Sequence, residues 1–380
     1  MISIEEQELI TYNLVPDKFL DNKKLERMAD GLYQMNDRPI DRISRDGFSF
    51  NYRKKSAAFW EIELTKDDVN FYLTVPKNWR EYTENQMETC WNKATIQESD
   101  SSHLNLNTKG VKGAIMHLSH HYFLSLKTDK RINSPIPELL EVTRSMAKDD
   151  KAIIQIGLRP AGADWFEGCK EAYDKFKRGE MPRRFKVDGE RVAKGVAKAG
   201  AAVTQEIMTA VAEFITEEDI EREPIEDIDR SNMIRQGGLS NSTKQKPKYN
   251  AFDTTIRVAA YSKRPSRRNA IIKGITTAYR SITGDNELVA TEKKAGKIID
   301  QIQNRKIPTM KVNPDFLSTA EIAKLIQLPT HPLQKEYNLT SVSNRELAVP
   351  KSMTTGQIKL GNITVKGDEQ EVFWPTSNKD

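Results

Sequence analysis

Four cationic side chains lie close together in the stretch YSKRPSRRNAIIK, between a predicted strand and a predicted helix. They are Lys263, Arg264, Arg267 and Arg268. Lysines and arginines grouped in a loop bind phosphate oxygens, which is the sequence-independent part of nucleic-acid recognition. Ordinary solvated surface charge is the competing interpretation. This segment is the candidate nucleic-acid or partner contact of the sequence.

No catalytic motif accompanies the basic segment. The sequence contains no GxxxxGK[ST] phosphate-binding loop, no GxGxxG turn after a strand and no GxSxG elbow. Among the five histidines, His120 and His121 would point to opposite faces of a strand, which disfavours a shared metal ion. The carboxylates lie in solvated runs without a paired acid and base. The sequence therefore predicts no catalytic residue, no cofactor, no metal site and no enzyme activity of this chain alone.

The composition is that of a polar globular protein. The chain has 380 residues, of which 37% are hydrophobic and 30% charged, and its mean hydropathy is −0.65. This length favours two or three domains. There is no run of about eighteen apolar residues, and the N-terminus is acidic, so neither a transmembrane helix nor a signal peptide is predicted. The two cysteines, Cys90 and Cys169, have no ligand spacing and fit a reducing, cytoplasmic location.

The charge is unevenly distributed, although the net charge is only +5. Residues 213–230 hold nine acidic residues against two arginines, whereas residues 241–273 hold nine basic residues against Asp253 alone. Such a reversal is typical of an exposed insertion beside a surface that has a charged partner. Two solvated faces would give the same pattern, so both interpretations stay open.

The periodicity of the apolar residues predicts an α+β fold. Several strands are expected before residue 180, including one at 121–128, and they alternate with helices in split β-α-β order. The predicted fold has ferredoxin-like (split β-α-β) units with a helical insertion and a small C-terminal helix plus β-hairpin. The predicted segments are a helical N-terminal segment (1–45), a first α+β unit (46–180), a helical insertion with a charged linker (181–248), a second α+β unit (249–312), and a helix with a β-hairpin (313–380).

The insertion contains one apolar helical stripe. Val196, Val203, Ile207 and Val211 recur at helical spacing within residues 192–215. Lysines early in this helix and glutamates late in it oppose the helix dipole, so packing must stabilise the helix. We expect it to pack against the core or a partner, and the few lysines and late glutamates argue against the alternative of a membrane surface.

The C-terminal stretch FLSTAEIAKLIQLPT has a complete helix-start signal. Ser318 and Glu321 have the spacing of a capping box, and Leu317 can contact Ile322 across it. Pro329 ends the predicted helix. Further on, QIKLGNITV and EQEVFW are predicted to pair as a hairpin around a Lys-Gly-Asp turn.

Several stretches of the sequence resemble one protein family. FLSTAEIAKLIQLPT and GNITVKG…VFWP are similar to the approach to the motor domain of conjugation and type IV secretion ATPases, relatives of the hexameric DNA-translocating P-loop ATPases. FYLTVPKNW, IIQIGLRPAGADWFEGCKEAYDKFKRG and AFDTTIRVAAYSKRPSRRNAIIKGITTAYRSITGDNEL are similar to that family's N-terminal α+β region, in the same order. The resemblance covers roughly residues 10–375.

The resemblance implies a function without a catalytic site in this chain. In that family the hairpin precedes the Walker A loop, and this sequence ends at Asp380 before any matching residue. The implied function is the non-catalytic N-terminal assembly and coupling region of a conjugative DNA-transfer ATPase. The alternative is a free-standing nucleic-acid-binding or scaffold protein of a mobile genetic element.

The resemblance also implies partners and a location. The partners would be an ATPase motor domain, in the same longer protein or in a separate chain, secretion-channel proteins, and DNA. The chain would form a homo-oligomer when it is joined to the motor. Its expected location is the cytoplasm, at the inner face of the cell membrane through these partners.

Overall fold

A computed structural model gives the fold. It describes residues 2–5, 7–36, 42–46, 49–91, 94–106, 109–129, 134–162, 164–180, 182, 238–308, 311, 313–339, 353, 356, 358–365 and 368–374. The chain divides into two compact units, Met1–Thr340 and Ser341–Asp380.

The described elements alternate strands and helices along the chain. The strands are β1 (Ile2–Glu5), β2 (Leu9–Pro16), β3 (Ile43–Asp46), β4 (Ser49–Arg53), β5 (Ala58–Thr65), β6 (Val69–Pro76), β7 (Ala94–Ser99), β8 (Val111–Leu118), β9 (Lys151–Pro160), β10 (Ala251–Tyr261), β11 (Leu288–Lys293), β12 (Asp315–Ser318), β13 (Lys359–Val365) and β14 (Asp368–Phe373). The helices are α1 (Leu25–Tyr33), α2 (Arg80–Cys90), α3 (Ile136–Ser145), α4 (Asp164–Lys177), α5 (Asn241–Gln245), α6 (Pro265–Ala278), α7 (Ala295–Gln303), α8 (Thr319–Leu325) and α9 (His331–Glu336).

One large antiparallel sheet organises the first unit. Its strand order is β11-β8-β10-β9-β5-β6-β2-β7, and β12 pairs with the start of β10. Strands β1, β3 and β4 form a separate small sheet of order β1-β4-β3. The predicted α+β fold class is therefore confirmed.

The large sheet contains the same connectivity twice. In the first half, β2, α1, β5, β6, α2 and β7 follow one another, with β3 and β4 inserted, and the strand order is β7-β2-β6-β5. In the second half, β8, α3, β9, β10, α6 and β11 occur in this order, with α4 and α5 between β9 and β10, and give the equivalent order β11-β8-β10-β9. Each half thus runs β-α-β-β-α-β, and the two halves meet where β5 pairs with β9.

Helices α1, α2, α3, α6 and α8 pack on one face of the sheet. Strand β5 alternates, so Trp60, Ile62 and Leu64 point to this face while Glu61 and Glu63 point to the other. Buried residues of both halves and of α1, α2, α3, α6 and α8 form one continuous apolar core here. A smaller core on the opposite face packs Ile298 and Ile302 of α7 against Ile153 and Ala259. Among the described helices, none has the length and apolarity needed to cross a membrane.

The predicted segment boundaries were partly wrong. Residues 1–45 are not wholly helical, because β2 lies inside the large sheet between β6 and β7. The units predicted at 46–180 and 249–312 are not separate, because β10 lies between β8 and β9 and draws both segments into one sheet. Local periodicity identified the elements but could not show which strands become neighbours.

Two predicted loop and strand assignments were also wrong. The strand expected at 121–128 is a loop, because side chains rather than a neighbouring strand bind its backbone: Asn286 Nδ2 donates to the carbonyls of His120, His121 and Leu124. The end of the predicted linker, residues 238–248, is packed, and Leu239, Thr243 and Lys246 are buried.

The C-terminal stretch follows its sequence signal. The Ser318 side chain accepts from the Glu321 N–H, and the Glu321 carboxylate accepts from the Ser318 N–H at 2.7 Å, which completes the capping box. In the second unit, β13 and β14 pair as the predicted hairpin, with Val365 opposite Asp368.

Candidate functional site

The basic segment lies at the start of α6. Lys263 and Arg264 follow the end of β10, Pro265 is the first helical residue, and Arg267 and Arg268 lie in the first turn. Proline suits the first helical position because an N–H at that position has no acceptor within the helix, so its absence costs no hydrogen bond. All four predicted residues therefore lie at the junction between β10 and the first turn of α6.

Two of these four cations are held by carboxylates from the α3–β9 loop. Lys263 Nζ lies 2.6 Å from Asp149 Oδ2, and Arg267 Nη1 lies 3.5 Å from Asp150 Oδ2. The hydrogen bond from Lys263 lowers the pKa of Asp149, and the same bond raises the pKa of Lys263. Both groups are exposed, so this first pair contributes little to stability.

The other two cations face solvent. Arg264 is exposed and Arg268 is half-buried, and neither has a carboxylate within ion-pair distance among the residues that the structure describes. Such guanidinium groups are able to bind a phosphate in a bidentate manner. Val196, Val203, Ile207 and Val211, the predicted packing stripe, lie outside the described residues.

A row of buried polar side chains crosses the joint between the two halves of the sheet. The register places Arg257, Gln155, Glu61 and Tyr72 side by side on β10, β9, β5 and β6. Gln155 Nε2 donates to Glu61 Oε1 at 2.9 Å and to the Ile302 carbonyl at 2.8 Å. Its Oε1 accepts from Arg257 Nη1 at 3.1 Å. Arg257, Gln155 and Glu61 thus form a continuous hydrogen-bonded chain across three strands, whereas the Tyr72 hydroxyl donates to Glu63 Oε2 at 3.2 Å.

Glu61 is the centre of this row. Arg305 Nε lies 2.8 Å from Glu61 Oε1 and Arg305 Nη2 lies 2.9 Å from Oε2, which is a bidentate pair. His103 Nε2 lies 2.8 Å from Oε2, and its ring stacks on Tyr72 with the centroids 3.7 Å apart. Burial alone would raise the pKa of Glu61, but the His103 hydrogen bond and the Arg305 charge hold it below its ordinary value.

This arrangement fits a structural role better than proton transfer. A general acid or base needs a pKa near the working pH and access to substrate. Glu61 is fully buried, is held ionised and accepts hydrogen bonds at both oxygens. Arg305 itself adopts a left-handed backbone conformation, with φ of 48°, directly after α7. The row therefore fixes α7 and the two halves of the sheet in one arrangement.

A second buried ionic cluster lies at the other end of β10. Asp253 pairs with Arg159, and Lys311 Nζ lies 2.8 Å from Asp253 Oδ1 and 2.6 Å from Thr255 Oγ1. Burial would raise the pKa of Asp253, but Lys311 and Arg159 hold it below its ordinary value. Lys311 also donates to the Thr254 carbonyl at 2.8 Å, so it satisfies three acceptors.

The capping glutamate of α8 has a second function. Glu321 and Lys246 form an ion pair at 3.0 Å with both side chains fully buried. Glu321 Oε1 also accepts from the Leu126 N–H at 2.8 Å. One carboxylate therefore joins α8, the loop 119–129 and the end of the insertion, a role that the capping-box signal did not predict.

The two thiols are poor nucleophiles. Burial raises the pKa of Cys169 to about 12 and raises that of Cys90 as well. A thiol attacks as its thiolate, so neither group is activated. Within the described part of the chain, no three His, Cys, Asp or Glu side chains converge as metal ligands.

A family model matches most of the chain. Residues 23–340 match the Domain of unknown function (DUF8128). The chain belongs to this family. No curated protein matches the chain.

The match to DUF8128 ends where the first compact unit ends, at Thr340. It includes the polar row, the basic segment and the capping box of α8. It begins after β2, although β2 is an inner strand of the sheet and pairs with both β6 and β7. The folded unit thus extends beyond the matched region at its N-terminal end.

Proposed function

We propose that this DUF8128 protein is a non-catalytic assembly and coupling region for a DNA-transfer motor of the conjugation and type IV secretion type. The resemblance of its sequence stretches to the N-terminal region of those ATPases supports this function. In this role the chain holds and positions a P-loop ATPase motor domain and links it to secretion-channel proteins.

The anchoring of the stretch 316–330 carries the proposal. This is the stretch that resembles the approach to the motor domain. Strand β12 pairs with β10 in the large sheet, and Leu317, Ile322 and Leu325 are fully buried in the main core. A segment held in this way transmits a change of position rather than absorbing it, which is what a coupling element requires.

Glu321 adds a connection that an isolated capped helix would lack. Its carboxylate binds Ser318 in its own helix, Leu126 in the neighbouring loop and Lys246 at the end of the insertion. A displacement of α8 would therefore move both of those segments. This geometry supports coupling between the C-terminal stretch and the rest of the unit.

Co-purification with a motor ATPase tests the proposal. The full chain is co-expressed with a P-loop ATPase of the conjugation and type IV secretion type, and the mixture is separated by size-exclusion chromatography. We expect one co-eluting species of several copies, with ATP hydrolysis only in fractions that contain the ATPase. Hydrolysis of ATP by the chain alone, or separate elution of the two proteins, would contradict the proposal.

The second candidate is a free-standing nucleic-acid-binding scaffold of a mobile genetic element. The exposed Arg264 and the half-buried Arg268, neither of which has a carboxylate partner among the described residues, favour it. Both candidates are compatible with DNA binding by the chain alone, but only the coupling function requires a motor protein. Co-elution with a motor ATPase and DNA binding are measured with the same preparation. Co-elution supports the coupling function, and DNA binding without co-elution supports the scaffold.

A further inference from the structure

We infer that one end of the second half of the sheet binds the phosphate backbone of duplex DNA. This surface, the basic end, consists of the strand ends of the second half and the residues that continue from them: 109–112, 148–151, 261–268 and 292–297. The inference deepens the proposed function and rests on it for the choice of DNA over RNA.

The sheet topology brings these four segments together. Tyr261 at the end of β10 lies opposite Val111 of β8 on one side and Lys151 of β9 on the other. Lys293 at the end of β11 lies opposite Gly113 of β8. Four adjacent strands span about 14 Å at the usual strand spacing, which is wide enough to contact several phosphates of a duplex.

The charge of the basic end is much larger than the chain average. Its segments hold eleven lysines and arginines against three carboxylates, a net charge of +8. The whole chain carries only +5, so the remaining residues are net negative, at −3. The positive charge of the protein is thus concentrated where these four strands end.

The first half of the sheet provides an internal comparison. Its equivalent strand ends are residues 7–10, 55–58, 76–83 and 98–103, which hold three cations against four carboxylates. The same connectivity therefore gives a net charge of −1 at that end. The fold does not require cations at this position, so the concentration of charge belongs to the second half alone.

Several cations of the basic end are free to bind a ligand. Lys112, Lys151, Lys263 and Arg267 are held by Glu292, Glu63, Asp149 and Asp150, respectively. At the starts of α6 and α7, four others have no carboxylate at ion-pair distance in the part of the chain that the structure describes: Arg264, Arg268, Lys294 and Lys297. The first two lie at the start of α6 and the last two at the start of α7, on opposite faces of the sheet.

The side chains of the basic end favour a duplex over a single strand or a membrane. Tyr261 is its sole aromatic residue and packs against the small core, so no platform for base stacking is present. Membrane-surface binding usually combines cations with exposed apolar groups. The large exposed apolar residues of the described chain, such as Phe19, Phe166 and Tyr173, lie outside the basic end.

Fluorescence anisotropy with a labelled 30-base-pair duplex of arbitrary sequence tests the inference. The full chain is compared with R264Q/R268Q/K294Q and with the control K55Q/K77Q/R80Q, which removes the same charge from the equivalent end of the first half. We expect the first variant to bind at least about tenfold more weakly at about 50 mM salt, with a salt slope lower by about two to three. The control should change affinity less than about threefold. Circular dichroism checks that both variants are folded.

Three results would overturn the inference. These are a wild-type chain that does not bind the duplex at low salt, an unchanged affinity of the first variant, and an equal loss in the control. Vesicles containing phosphatidylserine provide a further arm: binding to vesicles but not to duplex would assign the basic end to a membrane. Motor co-elution of R264Q/R268Q/K294Q should be unaffected, so failure of the proposed function and failure of this inference give different results.

Discussion

Glu61 and Gln155 lie directly opposite each other where the two halves of the sheet meet, and the Gln155 amide donates to Glu61 Oε1 over 2.9 Å. The neighbouring inward positions of the same strand pair are apolar, as in Trp60 opposite Ile156. The joint is therefore apolar on the helix face and polar on the other. Arg305 completes the polar side by neutralising Glu61 from outside the sheet.

Replacement of Glu61 by Gln should strongly destabilise the protein. The substitution keeps the size of the side chain but leaves the buried guanidinium of Arg305 without its counter-charge. Loss of one partner of a buried ion pair typically costs about 3–5 kcal/mol of unfolding free energy. Urea unfolding followed by circular dichroism measures the change.

The exposed Glu81 offers a matched control for this substitution. Glu81→Gln makes the same chemical change at the surface of α2, where we expect an effect within about 0.5 kcal/mol. If Glu61→Gln cost no more than Glu81→Gln, the polar row would not be a structural joint.

The free energy of unfolding should fall at acidic pH because the Glu61 carboxylate becomes protonated. The folded-state pKa of Glu61 lies below the ordinary value of 4.5, so the unfolded chain takes up a proton first as the pH decreases. The stabilisation is complete above about pH 5 and is lost as the pH falls through 4.5 toward the folded-state pKa. Urea midpoints at pH 7, 5 and 3.5 should therefore decrease less in Glu61→Gln than in the wild type. Parallel decreases in the two proteins would show that Glu61 is not the group responsible.

The sequence predicted the helices and strands better than it predicted which of them lie next to each other in the fold. The capping box at Ser318 is a local signal, and helix α8 formed as expected. The polar row was missed, because Glu61 and Arg305 are 244 residues apart in the sequence. The available signal for the polar row was a charged residue between the apolar positions of β5. The same pattern is also typical of a strand with one solvent-exposed face.

The basic segment shows the same limit. Its four cations were identified from the sequence, but only the structure shows that Asp149 and Asp150 hold Lys263 and Arg267. Pairing of this kind depends on which loop lies beside the start of α6. That relationship follows from β9 and β10 being neighbours, which short-range periodicity does not encode.

Glu321 and Lys246 should behave as a coupled pair. Lys246→Met removes the cation but leaves Glu321 with the N–H groups of Ser318 and Leu126. Glu321→Gln leaves Lys246 buried without a counter-charge, so we expect the larger loss of unfolding free energy for this variant. The double variant should cost less than the sum of the two, with a coupling of about 1–3 kcal/mol in a double-mutant cycle measured by urea unfolding. Additive losses would show that the two side chains do not stabilise each other.

Two glycines near α7 should respond in opposite directions to alanine. A Cβ at Gly113 of β8 would lie 2.2 Å from Ile298 Cγ2, because α7 packs directly on the sheet at this position. Gly113→Ala must displace the helix and should cost about 1–3 kcal/mol. At Gly296, inside α7, a Cβ meets nothing within 4 Å, so Gly296→Ala should stabilise by about 0.5–1 kcal/mol through its helix propensity. Thermal unfolding measures the change in stability of each variant. A Gly113→Ala protein as stable as the wild type would contradict the close packing of α7 on β8.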